Sequence, residues 1–205
     1  MTAYDRVGRR PRGAKVTAVM APAEEIAERV RGAAPRAGET RVLALDGPSG
    51  SGKTTLADAV AARLSRDGAP APVVHLDSLY PGWDGLEASV PLLVRWLLEP
   101  LAAGRPGGYH RWDWVAGREA EWYAVPAAEV VVVEGAGCGS RACAPYLSLL
   151  VWLDAPEKVR FARAMARDGE TYRPHWRRWA DQEERLFARE RTRERADLVY
   201  DDDTV

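Results

Sequence analysis

The stretch that most constrains the fold of this chain is residues 47–54, Gly-Pro-Ser-Gly-Ser-Gly-Lys-Thr. It fits the pattern G-x-x-x-x-G-K-[ST], in which a glycine-rich loop joins a buried strand to a helix. The residues before it, Arg41 to Leu45, form a short apolar run that is compatible with a buried strand. After it, apolar residues recur at the spacing of one helix face as far as Leu64. The sequence therefore predicts a strand, a phosphate-binding loop and a helix in succession.

The residue types of this loop suit a bound phosphate chain. Glycines let the backbone turn tightly and approach an anion, and the loop N–H groups and the positive end of the following helix hold phosphate oxygens. Lys53 is expected to reach the β- and γ-phosphates, and the Thr54 hydroxyl is expected to bind Mg²⁺. The predicted nucleotide-binding residues are Gly47, Ser49, Gly50, Ser51, Gly52, Lys53, Thr54 and Thr55. ATP and Mg²⁺ are the expected cofactors, and a glycine-rich turn with an unrelated lysine is the alternative.

The composition is that of a single soluble domain. The chain has 205 residues and a formal net charge of −1, which gives no general attraction to nucleic acid or to an anionic membrane. No apolar run is long enough to span a bilayer, no signal peptide is recognisable, and two cysteines are too few for a disulfide framework. We expect a cytoplasmic protein with a flexible tail at residues 1–19 and one domain at residues 20–205. A nucleic-acid-binding role for the basic tail is an alternative, and the sequence leaves open whether the chain forms a homo-oligomer.

Two acidic residues follow strongly apolar runs. Asp77 comes directly after residues 73–76, and Glu134 comes directly after residues 130–133. In an open parallel sheet, ligands bind beyond the carboxyl ends of the strands, so both acids are predicted on the same rim as the loop. Asp77 is the candidate for the group that accepts a proton from an attacking hydroxyl, and both acids are candidates for binding Mg²⁺. The alternative for Asp77 is a helix cap or turn cap.

A row of arginines follows the fourth predicted strand, residues 148–153. Arg160, Arg163 and Arg167 recur at spacings of three and four, so they share one helix face. Residues 156–193 are predicted to form a lid and a long helix, in which Arg163 and Arg167 stabilise the charge on a transferred phosphoryl group. A solvated, salt-bridged helix face is the alternative.

Residues 104–128 form a segment rich in glycine and then in aromatic residues. We expect a small hairpin there, from Tyr109–Trp114 and Glu121–Val125, as an insertion on the substrate side of the sheet. Its flat aromatic faces could sandwich a planar acceptor, or they could serve only to pack the hairpin on the body. The candidate acceptor-binding residues are Tyr80, Trp83, Asp84, Tyr109, His110, Trp112, Asp113, Trp114 and Arg173. Asp113 is the candidate for a polar contact, and His110 for a base or a hydrogen-bond partner.

These motifs together resemble the uridine kinase-like branch of the P-loop kinases over residues 40–200. The resemblance rests on the glycine-rich loop, on Asp77-Ser78-Leu79-Tyr80 after the second strand, on Glu134-Gly135 after the third strand, and on the arginine lid. It implies that Asp77 deprotonates the acceptor hydroxyl. It also implies that Thr54, Asp77 and Glu134 surround Mg²⁺, directly or through water.

The chain departs from that family in two places. The family's acceptor-side segment has a Tyr-Asp-Phe-Asp-His-Pro character, whereas residues 109–114 of this chain are Tyr-His-Arg-Trp-Asp-Trp. In the lid, Arg173 follows Arg167-Asp168 one residue later than in the family.

The predicted fold is α/β with three layers, in which helices cover both faces of a five-stranded parallel sheet of order 2-3-1-4-5. Helices are also expected at residues 22–31, 90–103 and 174–193, and a fifth strand at 196–200. The predicted activity is transfer of the γ-phosphoryl group of ATP to a hydroxyl of a small, nucleoside-like acceptor.

Two other functions remain open from the sequence. One is a phosphotransferase of the same fold that acts on a nucleoside monophosphate or an antibiotic. A cationic acceptor pocket would favour the monophosphate, and its candidate residues are Arg95, Arg105, Arg111 and Arg118. The other is a non-catalytic ATP-binding regulatory protein.

Overall fold

The structure, a computed structural model, describes residues 16–67 and 70–201. The strands are β1 (Arg41–Asp46), β2 (Val73–His75), β3 (Gly107–Asp113), β4 (Arg118–Val125), β5 (Val130–Glu134), β6 (Leu147–Asp154) and β7 (Leu198–Asp201). The α-helices are α1 (Val16–Gly32), α2 (Lys53–Leu64), α3 (Leu86–Leu93), α4 (Glu99–Ala102), α5 (Glu157–Asp168), α6 (Trp176–Glu190) and α7 (Thr192–Arg195). No helix within the described ranges is both long and apolar enough to cross a bilayer.

Five strands form a parallel sheet in the order β2-β5-β1-β6-β7. These labels differ from the predicted 2-3-1-4-5 only because the hairpin strands take the numbers 3 and 4; the sheet strands counted alone follow that order. All five residues of β5 are buried, as expected for an interior strand covered on both faces. The register sets Glu134 beside Leu45 of β1 and beside His75 of β2, so the carboxyl ends of these strands lie level.

A helical layer covers each face of the sheet. Successive residues of a strand point to opposite faces, and β5 shows this directly. Val130 and Val132 pack in the core beneath α1 and α2, whereas Val131 and Val133 pack in the core formed with α3, α4 and α6. The predicted three-layer α/β architecture is confirmed.

The first helix is longer than predicted. It begins at Val16, so Pro22, which the sequence pattern places near its start, lies inside it. Residues 16–19 of the predicted tail therefore belong to α1, and residues 1–15 lie outside the described residues.

Two further helices differ from their predicted bounds because of local backbone chemistry. The helix predicted at 90–103 begins at Leu86 and contains a π-helical segment at Val94–Leu98. This segment lies just before Pro100, which has no N–H to donate to the carbonyl four residues earlier. The helix predicted at 174–193 is divided by Arg191, whose φ of 52° ends α6 before α7 begins.

The hairpin expected at 109–114 and 121–125 is present with longer strands, β3 and β4. The two strands pair antiparallel, with an irregularity in register between His110 and Trp112. The hairpin lies outside the parallel sheet and contacts the 3-10 turn that follows β2.

Candidate functional site

The phosphate-binding loop is held in place by close backbone contacts. A Cβ on Gly47 would lie 2.0 Å from the Leu153 carbonyl oxygen of β6, and one on Gly50 would lie 2.3 Å from the Arg160 carbonyl oxygen of α5. Both glycines have positive φ angles, 141° and 81°. Helix α2 begins at Lys53, so its N-terminal N–H groups face the loop. The loop therefore has the shape and the donor groups of an anion-binding site.

A cleft of about 360 Å³ opens over this loop. The predicted site residues that line it are Ser49, Gly50, Gly52, Lys53, Thr54, Thr55, Asp77, Tyr80, Glu134, Arg163 and Arg167. Gly47 and Ser51 of the predicted set are not among its lining residues, because Gly47 packs on β6 and the Ser51 side chain is buried. The loop, both strand-end acids and two lid arginines thus share one cleft.

Glu134 lies at the end of β5, and its carboxylate is almost fully buried. Its Oε1 accepts a hydrogen bond from the Thr54 hydroxyl at 3.1 Å and lies 2.7 Å from Nδ1 of His75. Burial alone would raise the pKa of Glu134, but the His75 hydrogen bond and the charge of Lys53 outweigh it, and the pKa lies below its ordinary value. The same hydrogen bond raises the pKa of His75.

The oxygens of Thr54 and Glu134 are ligands of the kind that Mg²⁺ prefers. Within the described residues, no three His, Cys, Asp or Glu side chains form a group that could hold a metal ion. Magnesium sites of nucleotide enzymes commonly use one or two carboxylates together with phosphate oxygens and water. The residues present therefore fit a Mg²⁺ ion that is bound jointly with a nucleotide.

Asp77 lies in the 3-10 turn Leu76–Ser78 that follows β2, rather than at the end of the strand itself. Its side chain is 45% exposed, and a carboxylate oxygen lies 3.9 Å from Nη2 of Arg167. The surrounding protein raises the pKa of Asp77 by desolvation, Arg167 opposes this, and the charge of Glu134 adds to it. Asp77 is therefore an accessible carboxylate with increased basicity beside the phosphate-binding loop.

The arginines of α5 divide into two groups. Arg163 and Arg167 line the cleft. Arg160 turns to the loop instead: its Nε donates to the Ala155 carbonyl at 2.9 Å and its Nη1 to the Ser49 carbonyl at 3.3 Å. Arg160 thus contributes to the position of the loop, whereas Arg163 and Arg167 border the cleft, and Arg167 also pairs with Asp168 at 2.8 Å.

Most of the predicted acceptor residues do not line the cleft. Those outside it are Trp83, Asp84, Tyr109, His110, Trp112, Asp113, Trp114 and Arg173. Trp83 stacks on His175 with ring centroids 4.0 Å apart and packs against Trp114 at 4.7 Å. The Trp114 indole also donates to the Asp77 carbonyl at 3.0 Å. Through these two tryptophans, the hairpin and the lid pack against the turn that carries Asp77.

The polar candidates of the hairpin make local contacts. Asp113 accepts hydrogen bonds from the N–H groups of Val115 and Ala116, both at 2.9 Å, and so caps the hairpin turn. His110 Nδ1 lies 3.1 Å from the Ala120 carbonyl of the facing strand. Both side chains therefore have their polar partners within the hairpin itself.

The remaining candidates lie at the edge of the site. Tyr109 stacks on Tyr123, with ring centroids 5.7 Å apart. The Trp112 ring lies against Gly82. Asp84 pairs with Arg178, and Arg173 pairs with Glu170 at 2.9 Å.

Two buried acids of the site have no role in the sequence prediction. Asp46, at the end of β1, accepts hydrogen bonds from the N–H groups of Gly47, Gly137 and Gly139 at 2.7, 3.0 and 2.8 Å. Burial raises its pKa to about 6. Asp46 comes directly before the glycine-rich loop, so its position in the sequence indicates that it lies near the site.

Glu183 of α6 is the second of these acids. It accepts hydrogen bonds from the N–H and the hydroxyl of Ser49, at 2.8 and 2.7 Å. It lies four residues after Trp179 and three before Leu186, so helical spacing places it on the buried face of α6, and this is a signal in the sequence.

The arginines that would favour a monophosphate acceptor lie elsewhere. Arg95, Arg105, Arg111 and Arg118 do not line the cleft. Arg111 instead forms a two-pronged ion pair with Glu121, at 2.8 and 3.1 Å. The cleft therefore gives no support to the monophosphate alternative.

The chain is similar to solved structures of kinases. A possible uridine kinase from Bacillus stearothermophilus matches with a TM-score of 0.60 at 20% identity, over 87% of this chain and 97% of that chain. A protein provisionally described as a fructose transport system kinase from Silicibacter sp. TM1040 matches with a TM-score of 0.56 at 22% identity, over 88% of this chain and 98% of that chain. No protein-family model and no curated protein matches the chain. At these identities the similarity establishes the fold alone, a three-layer α/β fold that this chain shares with both proteins.

Proposed function

We propose that this protein is an ATP- and Mg²⁺-dependent kinase that transfers the γ-phosphoryl group to a hydroxyl of a small, nucleoside-like acceptor. The observation that carries the proposal is the position of Asp77. Its accessible carboxylate lines the same cleft as Lys53 and Glu134, 3.9 Å from Arg167. A protein that only binds nucleotide has little use for a basic carboxylate at this point.

The donor half of the reaction belongs to the loop. Its N–H groups and the N-terminus of α2 would hold the phosphates, and Lys53 would contribute a positive charge to the β- and γ-phosphates. A Mg²⁺ ion held by Thr54, Glu134 and Asp77, directly or through water, would neutralise part of the phosphate charge.

The acceptor half begins at Asp77. Its carboxylate takes the proton of the acceptor hydroxyl as the hydroxyl oxygen bonds to the γ-phosphorus, and the bond from that phosphorus to the bridging oxygen of ADP breaks. Arg163 and Arg167 line the cleft, where they would supply positive charge to the transferred phosphoryl group.

A neutral acceptor suits the described site better than a charged one. The four arginines that would favour an acceptor phosphate, Arg95, Arg105, Arg111 and Arg118, do not line this cleft. The resemblance to uridine kinase-like proteins and the description of the Bacillus protein as a possible uridine kinase favour a nucleoside. We propose that the reaction takes place in the cytoplasm, on a small molecule rather than on nucleic acid or a membrane.

The test is ADP release from ATP and Mg²⁺ across a panel of nucleosides, sugars, nucleoside monophosphates and aminoglycoside-like alcohols. We expect one neutral alcohol to stimulate release. Asp77→Asn should lower the stimulated rate by about 10²–10⁴-fold, the usual contribution of a general base. Lys53→Ala should abolish turnover without unfolding the protein. Asp181→Asn is the matched control, since Asp181 pairs with Arg177 on α6, away from the cleft lining.

Other results would refute the proposal. Stimulation only by monophosphates would establish a different acceptor class. Tight ATP binding with no stimulation by any acceptor, and no effect of Asp77→Asn, would indicate a regulatory protein.

A further inference from the structure

A buried carboxylate from α6 contacts the phosphate-binding loop. Glu183 is 3% exposed. Its Oε1 accepts three hydrogen bonds, from the N–H and the hydroxyl of Ser49 at 2.8 and 2.7 Å and from the Trp179 indole at 3.0 Å. Ser49 itself lines the cleft. The Glu183 carboxylate therefore contacts a residue of the loop that also lines the anion-binding cleft.

The groups that face Glu183 come from three other parts of the structure. Lys53 of the loop and Arg160 of α5 are the cations whose charges favour its ionised form, and Tyr172 of the turn after α5 is the third titratable group. Burial is the larger effect and raises the pKa of Glu183 despite these cations. Lys53 Nζ donates to the Pro48 carbonyl at 3.0 Å.

We propose that Glu183 is a positioning residue of the nucleotide site, and that its carboxylate takes up as much as about half a proton from solvent when a nucleoside triphosphate binds to the loop. This inference rests on the proposed nucleotide binding. The phosphates bring negative charge close to a carboxylate that water does not screen, and they share the charge of Lys53. A like charge nearby disfavours ionisation. Protonation lets Glu183 keep its contacts with Ser49 without repelling the ligand.

The consequence is a pH dependence of nucleotide affinity with a defined sign. Affinity is constant below the pKa of Glu183 in the free protein, falls as the pH rises from that value to the pKa in the complex, and is constant again above it. A rise of about one pKa unit on binding, typical of a nearby like charge, limits the total loss to about tenfold. Glu183→Gln cannot ionise, so it should lack this loss and bind about tenfold more tightly than the wild type at the alkaline end.

The experiment is calorimetric titration of the full chain with the Mg²⁺ complex of the β,γ-imido analogue of ATP, from pH 4.5, the ordinary pKa of a glutamate, to pH 9. Each pH is measured in two buffers of different ionisation enthalpy, which counts the protons taken up. The analogue's own protonation is common to all variants, so differences between variants belong to the protein. Glu184→Gln is the matched control, because it makes the same change at the exposed neighbour of Glu183.

We expect the wild type and Glu184→Gln to share one slope of affinity against pH, and Glu183→Gln to show a shallower slope with fewer protons taken up. An unchanged slope and proton count in Glu183→Gln would overturn the inference, even if affinity fell at every pH, since that is the behaviour of a purely structural carboxylate.

A second variant covers the case in which Glu183→Gln does not fold. Trp179→Phe removes one of the three donors in the free protein and in the complex, which raises the pKa of Glu183 in both and should move the proton uptake to higher pH. A pH profile of uptake identical to that of the wild type would also overturn the inference. Absence of analogue binding to the wild type would refute both this inference and the proposed nucleotide binding, whereas binding with an unaltered slope refutes this inference alone.

Discussion

The contact between the phosphate-binding loop and α5 yields a prediction whose size follows from the structure. In Gly50→Ala, the new Cβ would lie 2.3 Å from the Arg160 carbonyl oxygen and within 3.0 Å of two further backbone atoms of that residue. Backbone cannot rotate away as a flexible side chain can, so the loop and α5 must separate by roughly 1 Å to restore ordinary contact. The φ of 81° adds about 1–2 kcal/mol of strain for a residue with a Cβ.

We therefore expect Gly50→Ala to lower the free energy of unfolding by about 3 kcal/mol, which is about 6–12 °C in Tm for a chain of this size. Gly52→Ala is the matched control, because Gly52 lies in the same loop with a φ of 103° but a Cβ added there would have no neighbouring atom within 4 Å. It should lose only the strain of about 1–2 kcal/mol. Denaturant unfolding followed by circular dichroism measures both. Equal losses in the two variants would refute the close approach of the loop to α5.

Three further predictions concern the acids of the site and their supports. Asp46 has a pKa of about 6 in the folded protein against an ordinary 3.8, so its contribution to stability is greatest below pH 3.8 and is lost as pH rises through 6. Asp46→Asn should remove this dependence, which amounts to about 3 kcal/mol, from the curve of unfolding free energy against pH; an identical curve would contradict the buried position. Trp114→Phe loses the hydrogen bond to the Asp77 carbonyl. The variant should lower the free energy of unfolding by about 0.5–1.5 kcal/mol, and it should change kcat by a larger factor than it changes the KM for ATP. A larger change in KM than in kcat would count against a role of Trp114 in positioning Asp77. Glu134→Gln should lower the pKa of His75 toward its ordinary value, as measured by NMR titration of the imidazole; an unchanged His75 pKa would show that the two side chains do not interact.

The sequence predicts the parts of the site that depend on local pattern. The glycine-rich loop needs only its own residues and its flanking strand and helix. Asp77 and Glu134 follow apolar runs, and parallel strands end on a common rim, so their meeting in one cleft follows from the fold class. The predicted three-layer architecture follows from the same alternation of strands and helices.

The contacts that sequence reasoning misses are those between distant segments. Glu183 and Ser49 are 134 residues apart. Helical spacing from Trp179 and Leu186 places Glu183 on the buried face of its helix, but it does not show that Glu183 contacts Ser49. Aromatic composition likewise indicates that rings will pack, but not whether a ring meets a ligand or another ring. Trp83 meets His175 from a segment far along the chain.

Asp113 is a different case, because its partners are only two and three residues away. An aspartate at the start of a turn commonly accepts hydrogen bonds from the N–H groups that follow it. The turn signal was therefore present in the sequence.

The central claim is that Asp77 directs the γ-phosphoryl group of ATP to an acceptor hydroxyl. The most direct measurement is ³¹P NMR of ATP, Mg²⁺ and the stimulating acceptor, with wild-type protein and with Asp77→Asn. The account predicts a phosphomonoester signal that grows in step with ADP in the wild type, at a rate at least about a hundredfold lower in the variant. Inorganic phosphate as the only product, or equal rates of phosphomonoester formation in both proteins, would contradict it.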